Sequence, residues 1–436
     1  MPQLGTAEDY RAFIVDSATQ EVQGELPWSE IQWQRKRNDI SAASVAVAEG
    51  DGGIDCCRMF GGLFPWSQML RIERDGLIVW DGPVTGWARP KVGPAGARGF
   101  TVRASDRFII TQKRLVAQTR VAADTPPNLL AYLLADARIG NTAYDPYPIA
   151  IPGSSGIRMT TTAASSVAPD GSQATFQRDF RVERLEKVYD VMQELVAACG
   201  LFYTCVGSQV FMDEASLRTI LGGKTVRPVL SEATTFNLPG INVDGLGMAS
   251  VAYVGASSTG DSGFPVIRFD DLWRGSYITS TLETGRTAQR ATLTADVYKE
   301  ARIAAAQSAT PNMTIEQVEL APSFGGRRFK SNLSNLFPGV VVDVNYEDTC
   351  AFDMGIIDIG WERRDDGQNI GVNYYQLTPY ISSTISQARV DQIDVAVNFN
   401  DSGMSEVIAL SLTPQVDWDG TLPAYWPTYQ ELLARG

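Results

Sequence analysis

Residues 70–87, LRIERDGLIVWDGPVTGW, constrain the fold of this chain more than any other stretch. Residues 70–74 alternate apolar with charged, Asp75-Gly76 makes a two-residue turn, and residues 77–80 return. A type I′ turn needs positive φ at both central residues, and its twist matches that of the flanking strands, so Asp-Gly is favoured there. This register sets Ile72 against Val79 on one face. On the other it sets Arg71 against Trp80, where a guanidinium can stack on an indole. The return strand is apolar on both faces, so neither face is expected to be left in water. Two covers fit that pattern: a second sheet of the same chain, or a neighbouring subunit.

At 436 residues the chain exceeds one ordinary core, and two to four domains are expected. Its 44% hydrophobic and 20% charged content is that of a folded protein. The net charge of −13 repels phosphates and argues against stable nucleic-acid binding. Such a surface suits DNA sliding past without sticking, and it equally serves solubility alone. The first residues have no basic region followed by an apolar core, so no signal peptide is expected. No window approaches the roughly 20 apolar residues needed to span a bilayer. Five cysteines (Cys56, Cys57, Cys199, Cys205 and Cys350), odd in number and including a vicinal pair, point to reduced thiols made in a cytosol. The chain has no histidine, which excludes Ser-His-Asp and Cys-His catalysis and His-ligated metals. No cofactor and no metal are expected, and only carboxylate, Lys or Tyr chemistry stays open.

Residues 1–118 read mostly as strands and turns: 10–15, 31–35, 44–48, the hairpin, and 98–105 with Phe100, Val102 and Ala104 on one side. A loop through Gly93 and Gly96 precedes the last of these. Residues 119–240 read as an α+β domain. Thr125-Pro126-Pro127 opens a helix carrying Leu129, Leu130, Leu133 and Leu134, which ends near Gly140. A Pro/Gly/Ser/Thr-rich loop spans 144–171. A second helix aligns Leu185, Val188, Met192, Leu195 and Val196 and stops at Gly200. A strand pair, 201–206 and 209–213, then turns at Gly207-Ser208.

Residues 241–385 return to strands: 250–254, 266–269, and an alternation at Val340, Val342, Val344 and Tyr346. A helix over 294–309 interrupts them, and 354–364 pairs with 370–378 across Asp366-Gly367. Leu70, Ile72, Trp80-Asp81, Gly86-Trp87 and Phe100 are echoed in order by Val342, Val344, Phe352-Asp353, Gly360-Trp361 and Val372. Duplication of a four-stranded unit explains this, and so does chance likeness among β-rich segments. Residues 386–436 form a C-terminal extension, with a strand or interaction segment at 390–400. Trp418, Tyr425, Trp426 and Tyr429 crowd its tail, either clamped onto their own domain or serving as a partner interface.

Chemical motifs are weak. Gly222-Gly223-Lys224-Thr225 resembles the end of a phosphate loop, but Arg218 occupies the position of the required first glycine. Glu362, Asp365 and Asp366 sit beside Arg363 and Arg364 at a turn, where a solvated face is expected rather than a glycosidase pair. Glu183, Glu186 and Lys187 read as the wet face of the second helix. No catalytic residues are assigned.

The opening YRAFIVDSATQEVQGELPWSEIQWQRKRNDISAASVAV, with LRIERDGLIVWDGPVTGW and FTVRASD, resembles the hub, or tail-tip, minor tail proteins of long-tailed phages of actinobacteria. The resemblance spans about residues 8–385 and rests on strand arrangement, the R-x-G-x-x-x-W-x-G hairpin and the acidic charge. It implies a mainly β fold with an α+β insertion, built from two tube-type antiparallel β-barrel domains and a smaller α+β domain. It also implies a homotrimer at the distal end of the phage tail, made in the host cytoplasm. That trimer would continue the tail tube and convert sixfold to threefold symmetry while DNA passes its lumen. The implied partners are the distal tail protein, the tape measure protein and other tip proteins, with contact to the host envelope through them. The tail beyond 385 departs from the family pattern, and no downstream hydrolase or fibre domain is expected within these residues. Two rivals stand beside it: a tail-associated carboxylate-based cell-wall hydrolase, and a carbohydrate-binding tip protein using Trp418 or Trp426.

Overall fold

The structure is a computed structural model. It describes residues 9–48, 61–88, 99–116, 120–124, 129–130, 133–134, 176–180, 184–199, 203–206, 209–211, 229–231, 235, 241–244, 246, 251–256, 267–269, 283–288, 312–320, 323–324, 327–328, 336–344, 357–362, 376–381, 387–400 and 403–414. Among these the fold is mainly β, and most of the core lies in one thirteen-stranded sheet.

Seven N-terminal strands form half of that sheet: β1 (Tyr10–Asp16), β2 (Val22–Leu26), β3 (Trp28–Lys36), β4 (Ala42–Ala48), β5 (Gln68–Arg74), β6 (Leu77–Ala88) and β7 (Gly99–Ser105). Their order is β3-β4-β7-β6-β5-β1-β2, antiparallel throughout. Alternation decides which side each strand buries. Ile31, Trp33 and Arg35 of β3, Ala43, Val45 and Val47 of β4, and Phe100, Val102 and Ala104 of β7 all point inward. β2 runs into β3 through Pro27 alone, and the Trp28 indole N–H donates to the Tyr10 carbonyl at 3.0 Å. The row of strands therefore curls until its ends meet at a corner, but no ladder closes it.

The other half of the sheet comes from the far end of the chain. Gln387–Asn400 and Gly403–Pro414 form a long hairpin, paired from Asn400↔Gly403 back to Ala388↔Pro414. Its first strand lies along β3, with Val395 opposite Trp33. Asn312–Glu319 and Ile241–Asp244 continue the sheet outward, while Val341–Val344 and Val229–Leu230 extend it beside Gln387–Asn400. One hydrophobic core unites the two halves: Ile31, Val45, Ile72 and Trp80 pack in the same cluster as Val342, Val390, Ile393 and Leu410. A second cluster gathers Phe108, Leu129, Leu130, Leu133 and Leu134 with Val188, Val191, Met192 and Leu195 of helix α1 (Val188–Cys199) and with Tyr203, Cys205 and Val210.

Several sequence expectations hold and several shift. The Asp75-Gly76 turn has φ of 52° and 78°, as a type I′ turn requires. The hairpin register is displaced, because Val79 bulges between Ile78 and Trp80. Ile72 therefore faces Trp80, and Arg71 faces Asp81 rather than the indole. β2 was not foreseen, since VQGEL buries only Leu26 and has no apolar alternation. α1 begins at Val188: Leu185 lies before it with φ 52° and is exposed. Ile357–Glu362 pairs with Gln376–Ile381, Glu362 opposite Gln376, so the partner strand starts too late for a tight turn at Asp366-Gly367. The repeat does not recur as a pairing pattern among the described residues. β5 and β6 are neighbours, but Val341–Val344 pairs with Gln387–Asn400, and Ile357–Glu362 lies in a separate two-stranded sheet. Residues 340–344 do not alternate either, for Val341 is as buried as Val342. The loop at Gly93–Gly96, the cap at Thr125-Pro126-Pro127, the loop 144–171, Gly200, the turn Gly207-Ser208, the helix 294–309 and Tyr346 fall outside the described residues.

At the middle of β6 the chain passes very close to the end of β7. A Cβ built on Gly82 would lie 2.0 Å from the Ser105 carbonyl oxygen and 2.9 Å from the Asp106 Cα, both backbone atoms. Gly82→Ala is expected to cost about 3 kcal/mol or more by overpacking. The comparison variant is Gly24→Ala, whose Cβ meets nothing within 4 Å and should be nearly neutral. Urea denaturation of both variants checks this.

Candidate interaction surfaces

Among the described residues no group of three or more Cys, Asp or Glu side chains could hold a metal ion. Glu362 closes the strand Ile357–Glu362, while Asp365, Asp366, Gly222–Thr225 and the aromatics Trp418, Tyr425, Trp426 and Tyr429 lie outside the described residues. The chemistry that can be built is that of buried charges, one groove and one rim.

Inside the curl of strands sits Arg35, buried in the core face of β3. It donates a short hydrogen bond to the Val79 carbonyl, which the bulge in β6 turns toward it. Its guanidinium lies 5.2 Å from the Trp33 ring and 4.8 Å from that of Phe337. Burial lowers its pKa to about 10, which still leaves it charged at neutral pH. Phe337 is held there by the turn Phe337-Pro338-Gly339-Val340. In that turn Val340 N–H donates to Phe337 O at 3.1 Å, and Gly339 takes φ 99°. Pro before Gly is the sequence pattern of a type II turn.

Nearby, Arg107 donates to Asp81 at 2.6 Å, with both side chains more than nine-tenths buried. Asp106 caps the 3₁₀ turn Arg107–Gln112, accepting from Phe108 N–H at 2.9 Å and from Ser41 N–H at 2.6 Å. Burial pushes its carboxyl up to about 7 against those two donors. The β3–β4 connection also fastens the second core to the sheet. Tyr203 N–H donates to Asn38 Oδ1 at 2.8 Å, Gln193 to Asn38 O at 2.8 Å, and Tyr189 to Asp39 at 2.8 Å. Burial and Asp39 together push the Tyr189 hydroxyl up to about 12.

One rim of the sheet is tied by a buried ion pair between residues far apart in the chain. Arg74, at the end of β5, meets Glu406 of Gly403–Pro414 in a fork, Nε to Oε1 and Nη2 to Oε2, each at 2.8 Å. The Tyr10 hydroxyl donates to the same Glu406 Oε1 at 2.6 Å. Burial works against the Arg74 charge, but Glu406 outweighs it and raises the arginine pKa. Burial first, and Glu406 second, raise the Tyr10 pKa. Above this knot the apolar side chains of Leu77, Ile78 and Phe399 are exposed.

Opposite the core, the sheet carries a groove of about 570 Å³ across β3, β4, β7, the C-terminal hairpin and Asn312–Glu319. Gln32, Gln34, Ser44, Thr85, Arg103 and Asp394 are among its lining, with alanines between them. Sequence reasoning did not find this groove, the rim or the buried arginines. The groove and the Arg74–Glu406 rim depend on the C-terminal hairpin joining the N-terminal strands through β3, a pairing with no local signature, while Arg107 and Asp81 meet within the N-terminal strands themselves.

Comparison with known proteins gives the fold a context. No protein-family model and no curated protein matches the chain. Among solved structures, a tail protein from Neisseria meningitidis MC58 is similar, with a TM-score of 0.55 and 12% identity over 94% of this chain and 98% of that one. The 43 kDa tail protein of prophage MuSo2 from Shewanella oneidensis aligns at a TM-score of 0.53 and 12% identity, over 94% and 99% of the two chains. The prophage tail protein gp18 from Listeria monocytogenes EGD-e covers 93% of this chain and 95% of its own, at 10% identity and a TM-score of 0.48. At these identities the likeness is one of fold, shared with the first two of these tail proteins over 94% of this chain.

Two predictions follow from the buried charges. Arg74→Met leaves Glu406 buried without its partner and should cost roughly 3–5 kcal/mol, whereas Arg74→Met with Glu406→Leu should recover most of that loss. A double-mutant cycle by chemical denaturation measures both. Asp106 binds its proton more tightly folded than unfolded, where its pKa is about 3.9. Its contribution to stability is therefore full below about pH 4 and lost as pH rises to about 7. Unfolding free energy should fall between pH 5 and pH 7 and then level, and Asp106→Asn should flatten that slope.

Proposed function

We propose that the chain is a structural component of a phage-type tail: a homotrimeric hub at the distal tip that continues the tail tube and passes DNA through its lumen. The observation that carries this reading is the end-to-end likeness of fold to a phage tail protein, 94% of this chain against 98% of that one. The rest is consistent with such a role. A large curled sheet, mainly antiparallel, suits a wall that packs against copies of itself. The net charge of −13 disfavours lasting contact with DNA phosphates. The described residues hold a groove lined with amides, hydroxyls and alanines together with Arg103, Glu319 and Asp394.

In this reading residues 1–118 and 241–385 are the two tube-type barrel domains, fused through the sheet to the hairpin Gln387–Pro414, and 119–240 is an α+β domain beside them. Three subunits with two such units each would match a sixfold tube to a threefold tip. The distal tail protein, the tape measure protein and other tip proteins would be its neighbours, and Trp418, Tyr425, Trp426 and Tyr429 would form a contact for one of them. The protein would act without catalysis or cofactor, in the virion, after synthesis in the host cytoplasm. Light scattering of the purified protein should give three times the 47.5 kDa chain mass, and a reconstruction of isolated tails should show threefold density for it at the distal end. A monomer at every concentration, together with tails lacking the chain, would overturn the proposal.

A further inference from the structure

The Asp75-Gly76 end of the sheet presents apolar side chains among acids. Leu77 is 68% exposed, Ile78 53% and Phe399 61%. All three lie at strand ends, Leu77 and Ile78 on opposite faces of theirs and Phe399 in the C-terminal hairpin. Leu77 lies across from Arg74 and Ile78 across from Glu73. Phe399 meets the edge of Trp28, whose indole bonds Tyr10, the residue paired with Arg74 in β1. The exposed Asp9 is tied to the turn, its N–H donating to Asp75 Oδ1 at 3.1 Å and its carbonyl accepting from Asp75 N–H at 2.8 Å. The Asp75 carboxylate, 17% exposed, lies 3.9 Å from Arg74. The two arginines of this rim are already engaged, Arg74 by Glu406 and Arg11 by Glu25 at 2.6 Å. The surface therefore offers apolar contact and net negative charge. It is also preorganised, since the I′ turn and the buried fork fix the hairpin and little ordering entropy is left to lose on binding.

We propose that this rim is a docking surface for a segment of another protein that presents apolar side chains flanked by lysine or arginine. A second copy of this chain is disfavoured as the occupant. Self-docking rim to rim would set the same acids against each other, and like charges across an interface repel. The apolar side chains supply the anchors, and the acids select the sign of what surrounds the partner's own anchors.

The test uses the full-length protein and a short fluorescent amphipathic peptide of leucine and lysine, with a serine/lysine peptide of equal charge and a leucine/glutamate peptide as comparisons. The leucine/lysine peptide should bind most tightly by anisotropy. Leu77→Ser with Ile78→Ser should weaken it about tenfold or more, as should Glu73→Lys, and added salt should weaken it further. Val22→Ser, at the opposite end of the β1–β2 pair and 53% exposed, should leave binding unchanged. Circular dichroism should show every variant folded, because the substituted side chains lie on the surface. Equal affinity for the serine/lysine peptide, or undiminished binding to the Leu77/Ile78 double variant, would overturn the proposal. So would concentration-dependent self-association that the double variant abolishes, which would make a second copy the occupant. The outcome is separable from the trimer: the rim can bind its peptide in a protein that proves monomeric, and a trimer can form with a rim that binds nothing.

Discussion

β3 has no free edge, and most of the structure depends on that. Ala42–Ala48 pairs along one side after a short connection, and Gln387–Asn400 pairs along the other after some 350 residues of intervening chain. The inward side chains of this one strand, Ile31, Trp33 and Arg35, thus belong equally to the N-terminal curl and to the C-terminal hairpin. Closing so long a loop costs only slightly more entropy than closing a shorter one, because the cost grows with the logarithm of length. The larger consequence is kinetic. Non-local pairing must wait for distant segments to meet, so the N-terminal strands cannot complete their core until the hairpin that begins at Gln387 is available.

The buried charges make sense in that light. A buried ion pair is a poor source of net stability, since desolvation consumes much of the Coulomb gain, but it penalises every arrangement that leaves one partner alone. Glu406 buried without Arg74, or Arg74 without Glu406, is such an arrangement, and the two are 332 residues apart. Arg35 does similar work with no carboxylate partner. It donates to the carbonyl of Val79, the residue left without a ladder partner by the bulge in β6. The bulge that displaces the expected register thus coincides with the residue that accepts from the buried cation.

Local features of the fold were legible in the sequence, and the junctions were not. Asp75-Gly76 specified its turn because few other dipeptides tolerate positive φ twice, and Phe100, Val102 and Ala104 specified their face by strict alternation. A bulge changes the phase of alternation by one residue. Within Gln387–Asn400 that change is written in the sequence: Ala388 and Val390 point inward, then Ile393, Val395 and Val397, with the shift between Val390 and Gln392. In β6 the same event was hidden, because Ile78, Val79 and Trp80 are all apolar and no phase can be read from them. The partner of β3 was invisible for a different reason. Any strand with one apolar face could have filled that place, and the ion pair beside the junction, Arg37 and Asp391 at 2.6 Å, is a common one with no sequence signature. The rim was illegible for the same reason, since Phe399 and Leu77 share it only once the two hairpins are joined.

β6 also resolves the question that its doubly apolar sequence raised. Its middle, from Trp80 to Val84, is buried on both sides: Trp80 and Val84 lie in the main core, and Asp81 is covered through Arg107. Its ends are not covered, for Leu77 and Ile78 at one end and Trp87 at the other stay exposed. The chain's own sheet is thus enough to cover the centre of the strand but not its ends. An apolar residue left in water at a strand end gains nothing for the isolated fold. In the docking proposal that end is covered by a partner, and the acids Asp9 and Glu73 near Leu77 restrict which partner fits.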